Sequence, residues 1–258
     1  RIAGVLSAYD DMIGTNVRRI AIMEEMAHRL FDNNVTRRFV NLPIPGDRLD
    51  TLTLPDGWHF ARLADLSTIV MGQSPPSKAY NLTGKGLPLH QGVTDFEGFY
   101  QPNRLYVDGV DRLRIADVGD ILFSVRAPVA RLAIALDRIA LGRGLAAIRP
   151  NPRYKNYIFN HLRATFPHVD MIGNGAIYKA INKDDVHNIT IIMPTQTAIE
   201  RLERHLEPIW SETRILYLSN TRLRVARDLL LPRLISGEID LSGAEGEVER
   251  APDKAAAE

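Results

Sequence analysis

The chain has 258 residues, 45% of them hydrophobic and 24% charged, and it lacks cysteine, which excludes disulfides, thiolate nucleophiles and cysteine-ligated zinc. It has no signal peptide and no apolar run near the about 20 residues that span a bilayer, so we expect a cytoplasmic protein without a membrane segment. The net charge is +1, yet residues 55–195 hold 16 Lys or Arg against 12 Asp or Glu. This modest excess permits a polyanionic partner, and an ordinary solvated surface is the alternative.

Residues 1–40 predict a long helix. The first 31 residues lack proline, and apolar residues recur in alternating steps of four and three, which is a heptad pattern. At ~1.5 Å per residue such a helix would be roughly 45 Å long. Because the pattern is already present at Ile2, we expect the natural protein to continue before Arg1. The heptad positions are Ile2, Leu6, Tyr9, Ile13, Asn16, Ile20, Met23, Ala27 and Leu30.

Residues 41–57 are rich in proline and glycine and predict a linker, after which residues 58–195 predict an α+β domain. Short β-rich runs alternate there with turns, and one stretch has a helical pattern. We expect strands at 121–125, 130–136, 145–150 and 189–194, and a helix at 154–166.

The stretch GQSPPSKAY, residues 72–80, resembles the catalytic loop of DNA amino-methyltransferases, in which an aromatic residue follows Pro-Pro. Here Ser77 occupies the aromatic position and cannot stack on a target base. A glycine-rich loop for S-adenosylmethionine is also lacking, because LGRGLA at 141–146 leads into another predicted strand. We therefore interpret residues 72–80 as a polar loop stiffened by two prolines.

Residues 196–236 predict a second long helix, followed by a flexible tail at 237–258. Apolar residues again step by three and four, with Asn220 near the middle of the series. Pro208 should kink or restart this helix, and Pro232 followed by Gly237 should end it.

We expect the two long helices to pair as an antiparallel coiled coil with Asn16 opposite Asn220. In that register Ile2 falls near Leu234, and both apolar series are buried together. An Asn pair inside the seam fixes register at a cost in stability, so Asn16→Leu should raise the melting temperature while loosening register or assembly state. The alternative is that each helix packs separately on a globular core.

Motifs for catalysis are missing from the sequence. It has no Walker-type phosphate loop, no His-Glu-x-x-His and no Gly-x-Ser-x-Gly elbow. Its seven histidines are scattered without the spacing of metal ligands, so no metal site is predicted. These observations indicate a protein without an active site of its own.

Four blocks of sequence cover nearly the whole chain. In this order they resemble the specificity subunits of Type I restriction-modification systems: a central conserved helix, the start and the continuation of a target recognition domain, and the family's C-terminal end. The arrangement is that of the C-terminal half of such a subunit, with one target recognition domain between two conserved helices. The blocks are residues 2–31, residues 63–96, GDILFSVRAPVARLAIA (119–135) with IALGRGLAAIRP (139–150), and LLLPRLISGEIDL (229–241).

The resemblance implies a non-catalytic protein that reads one half of a bipartite double-stranded DNA target. It also implies two partners, a methylation subunit that would bind S-adenosylmethionine and a restriction-translocase subunit that would bind ATP and magnesium, with no cofactor on this chain. The helices would act as a ruler between half-sites, and the chain would be either a fragment or a half-size subunit that dimerises. Alternatives are the recognition part of a single-chain restriction-methylation enzyme, and a coiled-coil module without DNA function.

A domain that faces DNA needs cations for phosphates, and amides or forked donors for base edges. Gln73 is the leading base-reading candidate. Arg126 or Arg143 could instead pair with an acidic residue inside the domain, and Asn174 could simply form a turn. We expect the DNA contacts among Gln73, Ser74, Ser77, Lys78, Tyr80, Asn81, Gln91, Thr94, Ser124, Arg126, Arg131, Arg143, Asn174, Tyr178 and Lys179.

Overall fold

A computed structural model confirms the predicted fold class, with a long helix at each end of the chain and a mixed, sheet-rich domain between them in sequence. Residues 41–51 of the predicted linker and 240–258 of the predicted tail lie outside the described part. None of the helices within that part is long and apolar enough to cross a membrane. The described residues are 2–38, 52–93, 96, 105–166 and 181–239.

The strands predicted at 121–125, 145–150 and 189–194 and the helix predicted at 154–166 match within two residues. The strand predicted at 130–136 covers only Leu132–Ile134, and the first long helix ends at Asn34 rather than at residue 40. In chain order they are α1 (Ile2–Asn34), β1 (His59–Arg62), α2 (Leu63–Leu66), β2 (Ser67–Met71), β3 (Tyr80–Asn81), β4 (Leu87–His90), β5 (Tyr106–Val107), β6 (Ile115–Ala116), β7 (Ile121–Ser124), β8 (Leu132–Ile134), β9 (Ile139–Leu141), β10 (Leu145–Pro150), α3 (Lys155–Thr165), α4 (Lys183–His187), β11 (Thr190–Met193) and α5 (Gln196–Ile235).

The chain divides into two compact units, Arg1–Glu24 with Ser211–Glu258, and Glu25–Trp210. The first unit is an antiparallel pair of helical segments from α1 and α5. Successive residues of α1 bond to residues of α5 with decreasing residue numbers, so the two segments are antiparallel. The hydrogen bonds that show this join Asp10 with Arg227, Asn16 with Asn220, and Arg19 with Glu212, at 2.6, 2.9 and 2.9 Å.

Helix α5 is continuous from Gln196 to Ile235, so a restart at Pro208 does not occur. Pro208 and Arg204 are both exposed, and water can therefore hydrate the Arg204 carbonyl that loses its helical donor. The helix passes Pro232 by three residues and stops shortly before Gly237, whose φ of +73° is the left-handed conformation typical of a helix C-terminus.

The second unit holds the three described sheets. Their strand orders are β1-β11, β2-β10-β7-β8 and β3-β5-β4-β9-β6. Neighbouring strands are antiparallel except β4 and β9, which run parallel. Leu122, Leu141 and Leu145 are fully buried between the sheets' apolar faces, and β7 and β9 are buried at every position. Continuous apolar runs in the sequence thus correspond to the central strands.

Helix α3 is fixed by a carboxylate from α5. The Glu203 carboxylate accepts the Tyr157 backbone N–H at 2.7 Å and the Asn156 side-chain amide at 2.9 Å. It thereby satisfies donors in the first turn of α3. Burial raises the pKa of Glu203, while these hydrogen bonds lower it.

The far side of α3 packs on Phe31, whose ring lies 5.4 Å from that of Tyr157 and 6.0 Å from that of His161. His161 is fully buried, and its Nε2 accepts the Ile192 backbone N–H at 3.1 Å. Burial lowers the pKa of His161 to about 3, so the imidazole is neutral. With Nε2 accepting, Nδ1 carries the hydrogen and faces Thr165 Oγ1 at 3.2 Å.

Candidate nucleic-acid interface

The loop that follows β2 is anchored to the sheet core by backbone hydrogen bonds. Gly72 N–H donates to the Leu145 carbonyl at 2.9 Å, and Gln73 N–H donates to the Leu141 carbonyl at 3.0 Å. A Cβ atom at residue 72 would lie 2.1 Å from the Gly142 carbonyl oxygen, so only glycine permits this close approach. The Gln73 side chain itself is exposed to solvent.

The rest of the loop is stiffened from within. Pro75 is buried, and the Tyr80 hydroxyl donates to its carbonyl at 3.0 Å. Asn81 uses its whole side chain to build the 81–85 turn, because its Oδ1 accepts from the backbone of Thr83 and Lys85 and its Nδ2 donates to the Lys85 carbonyl. Tyr80 and Asn81 therefore shape the loop. The remaining predicted contacts on it, Ser74, Ser77 and Lys78, are exposed.

A second predicted segment, the Gly-Arg-Gly turn at 142–144, packs against the residue that follows β4. Gly142 N–H donates to the His90 carbonyl at 2.7 Å. A Cβ atom at residue 142 would lie 2.7 Å from Gln91 Cα, and one at residue 144 would lie 2.4 Å from the Gln91 carbonyl oxygen. The two glycines thus allow Arg143 to stand beside Gln91, and both of these residues are exposed.

The segment after β7 reaches the same turn. Val125 N–H donates to the Gly144 carbonyl at 2.9 Å, and Arg126 is exposed next to it. Ser124 was expected at the surface, but it is fully buried. Its hydroxyl donates to the Pro128 carbonyl at 2.7 Å and accepts the Arg131 N–H at 2.8 Å, so it holds this turn closed. We therefore leave Ser124 out of the candidate interface.

Of the other predicted contacts, Arg131 is half-buried beside that turn. Thr94, Asn174, Tyr178 and Lys179 lie outside the described residues.

The loop faces a groove of about 640 Å³, which is lined by residues 73–76 on one side and 110–114 on the other. The second side was not predicted. Val110 and Leu113 pack on the core cluster beneath, while Asp111, Arg112 and Arg114 are exposed. The charged residues of VDRLR, beside the apolar Val110 and Leu113, were the available signal, but this stretch lacks the glycine and proline that mark the other candidate turns.

The groove lining holds two exposed arginines and the single carboxylate of Asp111, and three more exposed basic side chains lie on the neighbouring loop and turns. Among the residues that the structure describes, none of the five forms an ion pair, and the internal pairing considered for Arg126 and Arg143 is not found there. Unpaired cations around a groove can meet a polyanion without first breaking internal salt bridges. The five are Lys78, Arg112, Arg114, Arg126 and Arg143.

No sequence profile of a protein family matches the chain. It is 31% identical over 247 residues to a Methanocaldococcus jannaschii protein named as the type I restriction enzyme MjaX specificity subunit, an alignment that covers 93% of this chain and 56% of that protein. It is 24% identical over 205 residues to the type I restriction enzyme HindI specificity subunit of Haemophilus influenzae, covering 72% and 42%. The chain thus spans about half the length of these curated relatives.

Two solved structures of S subunits also resemble the chain over about half of their own length. The HsdS subunit from Thermoanaerobacter tengcongensis is 26% identical, with a TM-score of 0.55 over 92% of this chain and 57% of that one. The S subunit of a type I restriction-modification system from M. genitalium has a TM-score of 0.60 over 90% of this chain and 59% of that one. At 15% identity, the second likeness shows the fold alone.

Proposed function

We propose that this chain, a homologue of type I restriction enzyme specificity subunits over about half their length, reads one half of a bipartite DNA target for a methylation and restriction complex. It would dock a methylation subunit and a restriction-translocase subunit. S-adenosylmethionine, ATP and magnesium would then lie on those partners, and this chain would only recognise sequence.

The observation that carries the proposal is the assembly of polar and basic side chains from four separate segments. Backbone contacts bring together Gln73, Gln91, Arg126 and Arg143, and Lys78 lies on the same stiff loop as Gln73. DNA binding needs this combination, because cations neutralise phosphates while amides and guanidinium forks read base edges. A stiff loop also loses less conformational entropy when it binds.

The division of roles follows from side-chain chemistry. Lys78 has a point charge on a flexible stem, which suits a phosphate contact. Gln73 has a neutral amide with both a donor and an acceptor, which matches the N6 and N7 edge of adenine in the major groove. Its backbone is fixed by the bond to Leu141, so its amide starts from a defined position.

The long helices suit the role of a ruler between two half-sites. Helix α1 has 33 residues and α5 has 40. At ~1.5 Å per residue these are roughly 50 and 60 Å long, more than the about 34–36 Å of one B-DNA turn. The buried Asn16–Asn220 bond would set the register of the pair and hence the distance that it spans.

The test is to co-express the chain with the methylation subunit of its own system and to sequence the host methylome. We expect methylation at one defined bipartite sequence, with binding of a duplex containing it that weakens steeply as salt rises. Lys78→Ala should weaken binding to every duplex and reduce the slope of log K against log salt by about 0.9, whereas Lys78→Arg, which keeps the charge, should not. Gln73→Ala should change which sequences are methylated. A complex that neither binds nor methylates DNA would refute the proposal.

A further inference from the structure

The groove at the Pro-Pro loop has a second wall that none of the DNA contacts expected from the sequence occupies. Residues 110–114 form this wall, and residues 73–76 form the first. Arg114 is exposed at the end of the wall nearest the strands, one residue before β6. It forms no ion pair with any residue in the described ranges.

Both walls are held by one residue. The Leu141 carbonyl accepts the Gln73 N–H at 3.0 Å, and the Leu141 N–H donates to the Arg114 carbonyl at 2.8 Å. Leu141 is fully buried in β9. Gln73 and Arg114 therefore start from the same rigid element, and neither backbone can shift without breaking a bond to the core.

The lining has the chemistry of a surface that reads bases. A phosphate cradle would present only donors and positive charge. Here the amide of Gln73 and the hydroxyl of Ser74 face a wall that offers the Asp111 carboxylate as well as arginine. The carboxylate repels phosphate but can accept from cytosine N4, while arginine donates two parallel bonds to guanine O6 and N7.

We infer that Arg114 is a specificity-determining residue that reads a base edge, guanine by preference, from the wall opposite Gln73. The inference rests on the proposed function and deepens it. Reading a base with a guanidinium fork needs the fork to be placed within about 0.5 Å, which a backbone fixed to β9 favours. Arg112 lies in a turn with φ of +57° and has no such anchor among the bonds of the described residues.

The experiment uses the full chain in complex with the methylation subunit. The wild-type methylated sequence is first determined by methylome sequencing, and duplexes with that sequence and with a scrambled one are then used as binding probes. The variants are Arg114→Ala and Arg114→Lys. The matched control is Arg153→Ala, because Arg153 is also exposed but follows the opposite end of β10 from the groove.

We expect Arg114→Ala to lower the preference for the specific over the scrambled duplex by roughly ten- to a hundredfold and to relax methylation at one position of the sequence. Arg114→Lys should keep the salt slope but lose the preference, because lysine lacks the fork. Arg153→Ala should leave both unchanged. An equal loss of affinity for both duplexes, or an unchanged methylated sequence, would overturn the inference. Failure of the wild-type complex to bind or methylate DNA would instead overturn the proposed function.

Discussion

Replacing Asn16 and Asn220 together by leucine should stabilise the helix pair, whereas each single replacement should not. Asn16 Nδ2 donates to Asn220 Oδ1 at 2.9 Å, and Asn220 Nδ2 donates to the Ile13 carbonyl at 3.4 Å. Only 7% of Asn16 and 3% of Asn220 is exposed. The geometry thus changes the expectation for Asn16→Leu alone, because that change leaves Asn220 Oδ1 buried without its donor.

The expected changes in the free energy of unfolding distinguish the single variant from the double variant. A buried acceptor left without a partner costs about 1–3 kcal/mol, which offsets the about 1.5–3 kcal/mol gained by burying one leucine. Asn16→Leu should therefore be close to neutral or destabilising. The double variant buries two leucines and leaves neither amide, so we expect a gain of about 2–5 kcal/mol after the net loss of about 1 kcal/mol for the hydrogen bond. That corresponds to a rise in melting temperature of roughly 4–20 °C.

Thermal and urea unfolding of the wild type, both single variants and the double variant, followed by circular dichroism, gives the coupling energy of the pair. Val17→Leu is the control for added leucine, because Val17 is 47% exposed on the same helix. Its effect should stay within about 0.5 kcal/mol. The reasoning is refuted if the single effects simply add, or if the double variant is the least stable of the set.

Three further predictions concern the second unit. Lowering the pH from 7 to 5 should reduce the free energy of unfolding by about 2 kcal/mol. The reason is that the unfolded chain protonates His161 near pH 6.5, while the folded state keeps it neutral down to about pH 3. Urea titrations at both pH values test this, and a pH-independent unfolding midpoint would contradict it. Glu203→Ala should lower the melting temperature by an amount equivalent to about 1–3 kcal/mol, since the Tyr157 backbone N–H loses its acceptor while the Asn156 amide keeps its bond to Glu207. An unchanged melting curve would show that this contact is unimportant. Gly72→Ala should displace the Pro-Pro loop and abolish selective methylation. Gly92→Ala should not, because a Cβ at residue 92 meets nothing within 4 Å. Equal activity of the two variants would contradict the close-packing argument.

The helix pair could be predicted from the sequence because its signal is periodic and long. The heptad steps place Asn16 and Asn220 on their seams, and buried polar residues at such positions constrain the register strongly. The central strands were predictable for a related reason. Runs such as 121–125 and 145–150 are apolar at nearly every position, as expected for strands buried on both faces.

The groove was not predictable, because its geometry depends on contacts between residues distant in sequence. Arg114 and Gln73 are 41 positions apart, and both are bonded to the backbone of Leu141. Nothing in the residues around Leu141 identifies which segments its N–H and C=O will bind. Ser124, by contrast, was predicted as a contact and is buried instead. Its polarity suggested a surface contact, but it lies in a strand buried at every position, where a hydroxyl must bond to nearby backbone.

Several of the bonds that hold the candidate interface are made by the backbone, and this bears on the proposed reading of DNA sequence. The backbone of Leu141 bonds to the Gln73 N–H and to the Arg114 carbonyl, and the His90 carbonyl accepts the Gly142 N–H. The side chains at 73 and 114 take no part in these bonds. A substitution at either position can therefore alter the group presented to a base without breaking a bond that maintains the fold. Glycines 72, 142 and 144 have the complementary role, because their missing side chains let the segments approach each other. Recognition can thus change at exposed side chains while the rigid element beneath them stays the same.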